Sequence, residues 1–266
     1  MRKIIVITTP HIPFYYRYAA RLALKYIALG FDTIYLSYPE ELDELIPKYI
    51  IGALNFNEIM KAIVGKLTDI YHKLFLRIKY FLDALKEAGA YNVAIRGYLT
   101  ADAVIDHLKG LNKLLLLTAR AASIGRIDNT RLIEALKELE YAGNRLMDTI
   151  AERLSHKLRP NSMLILDRSL EEIADIACRE YMVQRIKISP YIETPIEHLL
   201  RAFREHADVD TLERIFIEHV EYISKYILTS GDLDEAYLRW VRDRCLRTGR
   251  LEEYKRILKI FNEAWM

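Results

Sequence analysis

The chain has 266 residues, 52% of them hydrophobic and 29% charged, a balance that can bury a core and excludes wholesale disorder. Lys and Arg number 39 against 37 Asp and Glu, a net charge of +2, so no basic excess marks a dedicated nucleic-acid coat. Two cysteines, Cys178 and Cys245, are too few for a disulfide framework or a cysteine-built zinc site.

Met1-Arg2-Lys3 leads into only four apolar residues, Ile4 to Ile7, before Thr8-Thr9-Pro10, which is no signal-peptide core. The run Leu114 to Leu117, flanked by Lys113 and Arg120, falls far short of the roughly 20 residues of a membrane span. A cytoplasmic protein with no membrane partner is expected. Gln184 is the only glutamine. Depletion of thermolabile amides beside abundant Glu, Lys and Arg points to a thermophilic source.

Residues 3–9 are rich in β-branched side chains and read as a buried strand ended by Pro10. A helix over 14–29 follows, with Phe14, Tyr18, Leu22, Tyr26 and Leu29 on one face and Gly30 as its stop. A second strand covers 32–37, and Pro39-Glu40-Glu41 opens a helix. Strand–helix alternation predicts a mostly parallel sheet. Phe56, Ile59, Ile63, Leu67, Ile70, Leu74, Ile78, Phe81 and Leu85 then repeat with an eleven-residue period, 3.67 residues per turn. They predict a helix over 56–88, on the order of 50 Å long. Such a helix outreaches a sheet, so it is expected to pack on residues 111–157 or on a second copy, with Leu67 and Leu74 buried.

A third strand is read at 91–96, helices at 101–109, 111–123 and 131–157, and a fourth strand at 163–166. Ser169 with Glu172 forms a capping-box pattern, and a fifth strand covers 183–188. From 195 to 266 only helices are predicted, near 196–206, 210–228, 232–247 and 250–264, with breaks at Asp208, Ser230-Gly231 and Thr248-Gly249. The expected fold is α/β: a mostly parallel sheet with a long helical insertion over residues 1–190, then an all-α region over 195–266.

Ligands of open parallel sheets bind beyond the carboxyl ends of the strands. That rule selects His11 after the first strand, Tyr38 after the second, Arg96 at the end of the third, and Asp167-Arg168 after the fourth. An imidazole, a guanidinium and a carboxylate suit a polar or anionic ligand, and the four positions are expected within about 10–12 Å of one another if they share one. The other reading of the same residues is that strand ends meet water, with His11 solvated or capping the next helix. No metal and no cofactor is expected. The chain has no Gly-x-Gly-x-x-Gly after the first strand, no Walker loop, no His-Glu-x-x-His and no Gly-x-Ser-x-Gly, which disfavours dinucleotide enzymes, P-loop NTPases, zincins and serine hydrolases. Arg201/His206 and Arg214/His219 match the Arg-x4-His spacing of HEPN-type ribonucleases, but at the frequency chance supplies in a chain this rich in arginine.

In its order of elements the chain resembles the TraB/ChaN group, the superfamily that includes erythromycin-esterase-like hydrolases. Thr8-Thr9-Pro10-His11 stands where that family has Gly-x-x-His, Glu87-Ala88-Gly89-Ala90 precedes a strand ending at Arg96, and Gly143-Asn144-Arg145-Leu146-Met147 stands near the family's Arg-Asn-x-x-Met. Ser37-Tyr38 replaces its strand-two glutamate, and Leu166-Asp167-Arg168 replaces Gly-x-Gly-His. The resemblance spans 3–190 and implies a metal-assisted hydrolytic site that has lost most of its ligands. The leading expectation is a non-catalytic or catalytically degenerate binding or scaffold protein that meets a protein partner or a second copy through its helices. The alternatives are a hydrolase centred on His11, and an RNA-directed protein using the Arg- and Lys-bearing C-terminal helices, where acidic residues offset the basic ones.

Overall fold

A computed structural model describes residues 3–64 and 69–266. In chain order the elements are β1 (Lys3–Thr9), α1 (Pro13–Ile27), β2 (Thr33–Pro39), α2 (Ile46–Ile50), α3 (Phe56–Val64), α4 (Asp69–Glu87), β3 (Ala94–Leu99), α5 (Ala101–Ile124), α6 (Asn129–Lys157), β4 (Ser162–Asp167), α7 (Ile173–Ala177) and β5 (Met182–Lys187). Then come α8 (Pro195–Arg204), α9 (Val209–Tyr222), α10 (Leu233–Thr248) and α11 (Leu251–Trp265). The five strands form one parallel sheet in the order β3-β2-β4-β1-β5. This is the α/β architecture read from the alternation of strands and helices, with an all-α C-terminal region.

The strand order fixes where a ligand would sit. β1 and β4 are neighbours, with Thr9 opposite Asp167. The chain leaves β1 towards β2, on one side, and leaves β4 towards β5, on the other. Neighbouring strands whose connections depart in opposite directions make a topological switch point, the place where ligands of such sheets bind.

The connections from β1 to β2 and from β2 to β3 run the same way across the sheet. Right-handed crossovers therefore put α1 and α4 on one face, and these two helices pack closely together. The stripe on α4 (Phe75, Ile78, Phe81, Leu82, Leu85) is buried, and within the sheet-bearing part of the chain α4 packs with α1, α2, α3 and β2. On α1 the buried residues are Phe14, Tyr15, Tyr16, Arg17, Ala19, Ala20 and Ala23. The face expected for α1 is thus rotated, and Leu29 is exposed. The expectation for Leu67 and Leu74 lies outside the described residues and side chains.

Two further differences have local causes. β3 runs three residues later than read, because Gly97 lets it lie against β2: a Cβ there would stand 2.5 Å from the Tyr38 carbonyl oxygen and 2.9 Å from the Glu40 amide. After β4 the chain makes a short 3-10 turn, Arg168–Leu170, and α7 starts only at Ile173 with no side-chain cap, so the Ser169 capping box does not form.

The chain divides into two compact units: residues up to Ile105 with Met147–Ser189 and Ile257–Met266, and Asp106–Leu146 with Pro190–Arg256. The first holds the sheet. The end of α11 belongs to it, where the buried Arg17 side chain of α1 donates through Nε to the Ala264 carbonyl at 2.9 Å and lies 4.4 Å from the Trp265 ring centroid. The second unit is helical around Leu114, Leu132, Leu136, Leu139, Leu199 and Phe216. Gly110 lets α5 approach α6, its would-be Cβ standing 3.2 Å from Leu139 Cα. Thr194 with Glu197 forms a capping box on α8, Asp208 caps α9, Asp232 caps α10, and Gly249 closes α10 in the left-handed conformation. Among the described residues no helix is long and apolar enough to cross a membrane.

Candidate functional site

Asp167 ends β4 and is 7% exposed at its side chain. A carboxylate so deeply placed must be paired or hydrogen-bonded, and three elements supply partners. From the turn after β1, His11 Nδ1 lies 3.1 Å from Oδ1. From α1, the buried Tyr16 hydroxyl donates to the same oxygen. From α4, Arg77 Nη2 lies 3.5 Å from Oδ2, with the Arg77 side chain 11% exposed. Arg77 Nη1 also contacts His11 Nε2, and its guanidinium carbon lies 5.6 Å from the Tyr16 ring centroid. Ser37 of β2 shares a 3.2 Å hydrogen bond with the Tyr16 hydroxyl. Behind it the buried Tyr98 donates to the Ile165 carbonyl at 3.1 Å.

Hydrogen-bond roles assign the imidazole. A guanidinium only donates and an ionised carboxylate only accepts, so Nε2 accepts from Arg77 and the ring proton sits on Nδ1, donated to Asp167. Both ring nitrogens are engaged while the His11 side chain stays 42% exposed, so His11 is the face the cluster shows to solvent. Burial alone would raise the Asp167 carboxyl, but Arg77 first, then His11 and the hydrogen bonds from His11 and Tyr16, hold it well below the usual carboxylate range. Burial, reinforced by the Asp167 charge, pushes the Tyr16 hydroxyl far up, so Tyr16 stays a donor. Burial, then Asp167 and Tyr16, raise Tyr98 as well.

Of the residues singled out in the sequence, the structure brings His11 and Asp167 together and turns Tyr38 and Arg96 elsewhere. Successive strand residues face opposite sides of a sheet, and on β2 it is Ser37 that reaches Tyr16. Tyr38 donates instead to Asp43 at 2.8 Å and to the Ile95 carbonyl at 3.1 Å, and burial followed by Asp43 raises its hydroxyl. Arg96 lies on β3, three strands from β1 in the sheet, a span of about 14 Å at the ordinary strand spacing. It pairs with Asp43 at 3.7 Å and is 55% exposed. The guanidinium of the cluster comes from Arg77, not Arg96. Arg168 begins the 3-10 turn beyond Asp167 and is half-buried.

Tyr16, Ser37, Arg77 and Tyr98 complete the cluster. Only Arg77 carried a usable sequence signal. It sits three residues after Leu74 and four before Phe81, inside the apolar stripe, where a lone arginine needs a buried partner.

The metal-assisted site that the TraB/ChaN resemblance implies does not fit these residues. The strand-two position holds Ser37 hydrogen-bonded to Tyr16, both His11 nitrogens are engaged, and among the described residues no three His, Cys, Asp or Glu side chains converge as a ligand set. The Arg-x4-His pairs do not form common sites either. Arg201 is bound to Glu193 at 2.9 Å and Glu205 at 3.5 Å, and His219 is buried while Arg214 is exposed. Along the C-terminal helices Arg244 pairs with Glu218, Arg250 with Glu253 and Lys255 with Glu252. The chain matches no protein-family model, no curated protein and no solved structure.

Proposed function

We propose that the chain is a binding protein rather than a catalyst, and that it takes a small polar or anionic ligand at the switch point between β1 and β4 through His11 and Arg77. The observation that carries this reading is that both imidazole nitrogens are committed, Nδ1 to Asp167 and Nε2 to Arg77. A general base needs a free lone pair directed at the proton it removes. An anion accepts instead from the Arg77 guanidinium, which donates and needs no lone pair, while the buried Asp167 carboxylate holds that guanidinium and the half-exposed His11 ring beside it. Exposed apolar side chains on α5 and α6 (Leu115, Leu116, Tyr141) support a protein partner or self-association through the helices.

One observation favours a hydrolytic second reading. A buried carboxylate orienting an imidazole through Nδ1 is the arrangement that general bases use, and an anionic substrate that drew Arg77 away would free Nε2.

Thermal unfolding with inorganic phosphate or adenosine monophosphate, alongside turnover of p-nitrophenyl acetate and p-nitrophenyl phosphate, tests both. The binding reading expects stabilisation by an anion that Arg77→Gln removes, and no turnover. Turnover abolished by His11→Ala would replace it with the hydrolytic reading.

A further inference from the structure

The helical unit holds a cavity of about 230 Å3 unrelated to the sheet-end cluster, lined by the end of α5, the 125–128 turn, the start of α6, and Phe216 of α9. Its floor is apolar: Leu132 and Phe216 are fully buried core residues, and Leu117 and Ile127 pack against the same cluster. It is larger than the roughly 150 Å3 engineered apolar cavity that admits benzene, so it holds a ring or a medium-length acyl chain.

The rim has a different chemistry. Leu117, Arg120 and Ile124 share one face of α5 at helical spacing, and Arg126 follows in the turn. Arg120 and Arg126 are exposed, and neither is paired with a carboxylate among the described residues, whereas Arg131 and Arg145 on the neighbouring helix are ion-paired. The acidic rim residue, Asp128, is already committed: it accepts from the Arg131 amide at 3.1 Å as the cap of α6 and pairs with Arg131 Nε at 3.2 Å. Two guanidinium groups above an apolar floor match one kind of occupant. An apolar molecule would leave the arginines unused, and a bare anion would leave the floor empty.

We infer that this pocket is a binding site for an amphiphilic carboxylate, an apolar body the size of a medium acyl chain or an aryl ring whose carboxylate is held by Arg120 and Arg126. The guanidinium fork suits a carboxylate bidentately, and burial of the body in the floor supplies the apolar part of the affinity.

The test is isothermal titration of the full chain with octanoate, 1-octanol and acetate, with the Ile127 methyl resonance followed by NMR to locate binding. Octanoate should bind about tenfold or more tighter than octanol, as one charge-assisted hydrogen bond provides. Acetate should bind far more weakly, and the Ile127 methyl should move. The Arg120→Gln/Arg126→Gln double variant alters only exposed side chains, so it should fold, keep its octanol affinity and lose the preference for octanoate. Equal affinities for octanoate and octanol, an unmoved Ile127 methyl, or a preference that survives the double variant would each overturn the inference.

Discussion

His219 builds an acid lability into the helical unit. It lies on the buried face of α9 with Leu212, Ile215 and Phe216 and is 4% exposed. Its Nδ1 has no hydrogen-bond partner among the described residues, and burial lowers its pKa from 6.5 to about 4. Above pH 6.5 the ring is neutral folded and unfolded, so His219 adds no pH dependence. As pH falls below 6.5 the unfolded chain takes a proton that the folded chain refuses, and stability falls until about pH 4. At 1.36 kcal/mol per pH unit of separation the full loss is about 3 kcal/mol, of which about 2 kcal/mol is spent by pH 5. Guanidinium unfolding of the native chain and of His219→Phe at pH 7.5 and pH 5 measures it, since the other histidines contribute equally to both proteins. The variant, which keeps an aromatic ring and removes the unpartnered nitrogen, should lose about 2 kcal/mol less than the native chain over this interval. Equal losses within about 0.5 kcal/mol, the usual error of additivity, would mean that His219 is not held neutral by the fold.

Other consequences follow from the sheet unit. Asp167→Asn leaves Arg77 without its carboxylate in a nearly closed site and should cost about 3–5 kcal/mol, read by the same unfolding assay. Because the Asp167 pKa is lowered on folding, its stabilisation is fully present above the ordinary carboxylate range, begins to fall as pH drops into that range, and is lost down to the depressed folded value, below the His219 window. Tyr16→Phe removes a donor to Asp167 and the bond to Ser37, and should cost about 1–3 kcal/mol. Gly97→Ala drives a methyl into the Tyr38 and Glu40 backbone and should cost about 1–3 kcal/mol or more; an unfolding midpoint unchanged from the native chain would contradict the tight β2–β3 approach. The Arg17→Ala/Arg21→Ala double variant removes both guanidinium donors to the Ala264 carbonyl, at 2.9 and 2.8 Å, and should raise amide exchange over residues 258–266 without altering exchange in β1 or β4.

Strands and helices were legible in this chain because their periodicities are local. The β-branched run 3–9, the apolar 163–166 and the breaks at Asp208, Ser230-Gly231 and Thr248-Gly249 each announce an element from neighbouring residues alone. What depends on long-range arrangement was not legible. The insertion of β4 between β1 and β2 decides that His11 meets Asp167 and that Arg96, three strands away, does not. The pleat decides that Ser37 and not Tyr38 faces the cluster, a one-residue matter that depends on where β2 begins. The stripe of eleven-residue period spoke for a buried helical face but not for its partner, because packing of α4 on α1 joins segments distant in sequence. Arg77 could have been suspected from its place in that stripe, whereas Tyr16 reads as one more aromatic in an aromatic-rich helix.

If His11, oriented by Asp167 and contacted by Arg77, faces the ligand as proposed, its ring nitrogens report binding. Long-range 1H–15N correlation of the His11 ring during titration with inorganic phosphate reads them. The Nδ1–H tautomer is expected in the free protein, with a phosphate-dependent shift of Nε2 that Arg77→Gln abolishes. A proton on Nε2, or a ring that does not respond to any anion while the protein turns over an ester, would contradict it.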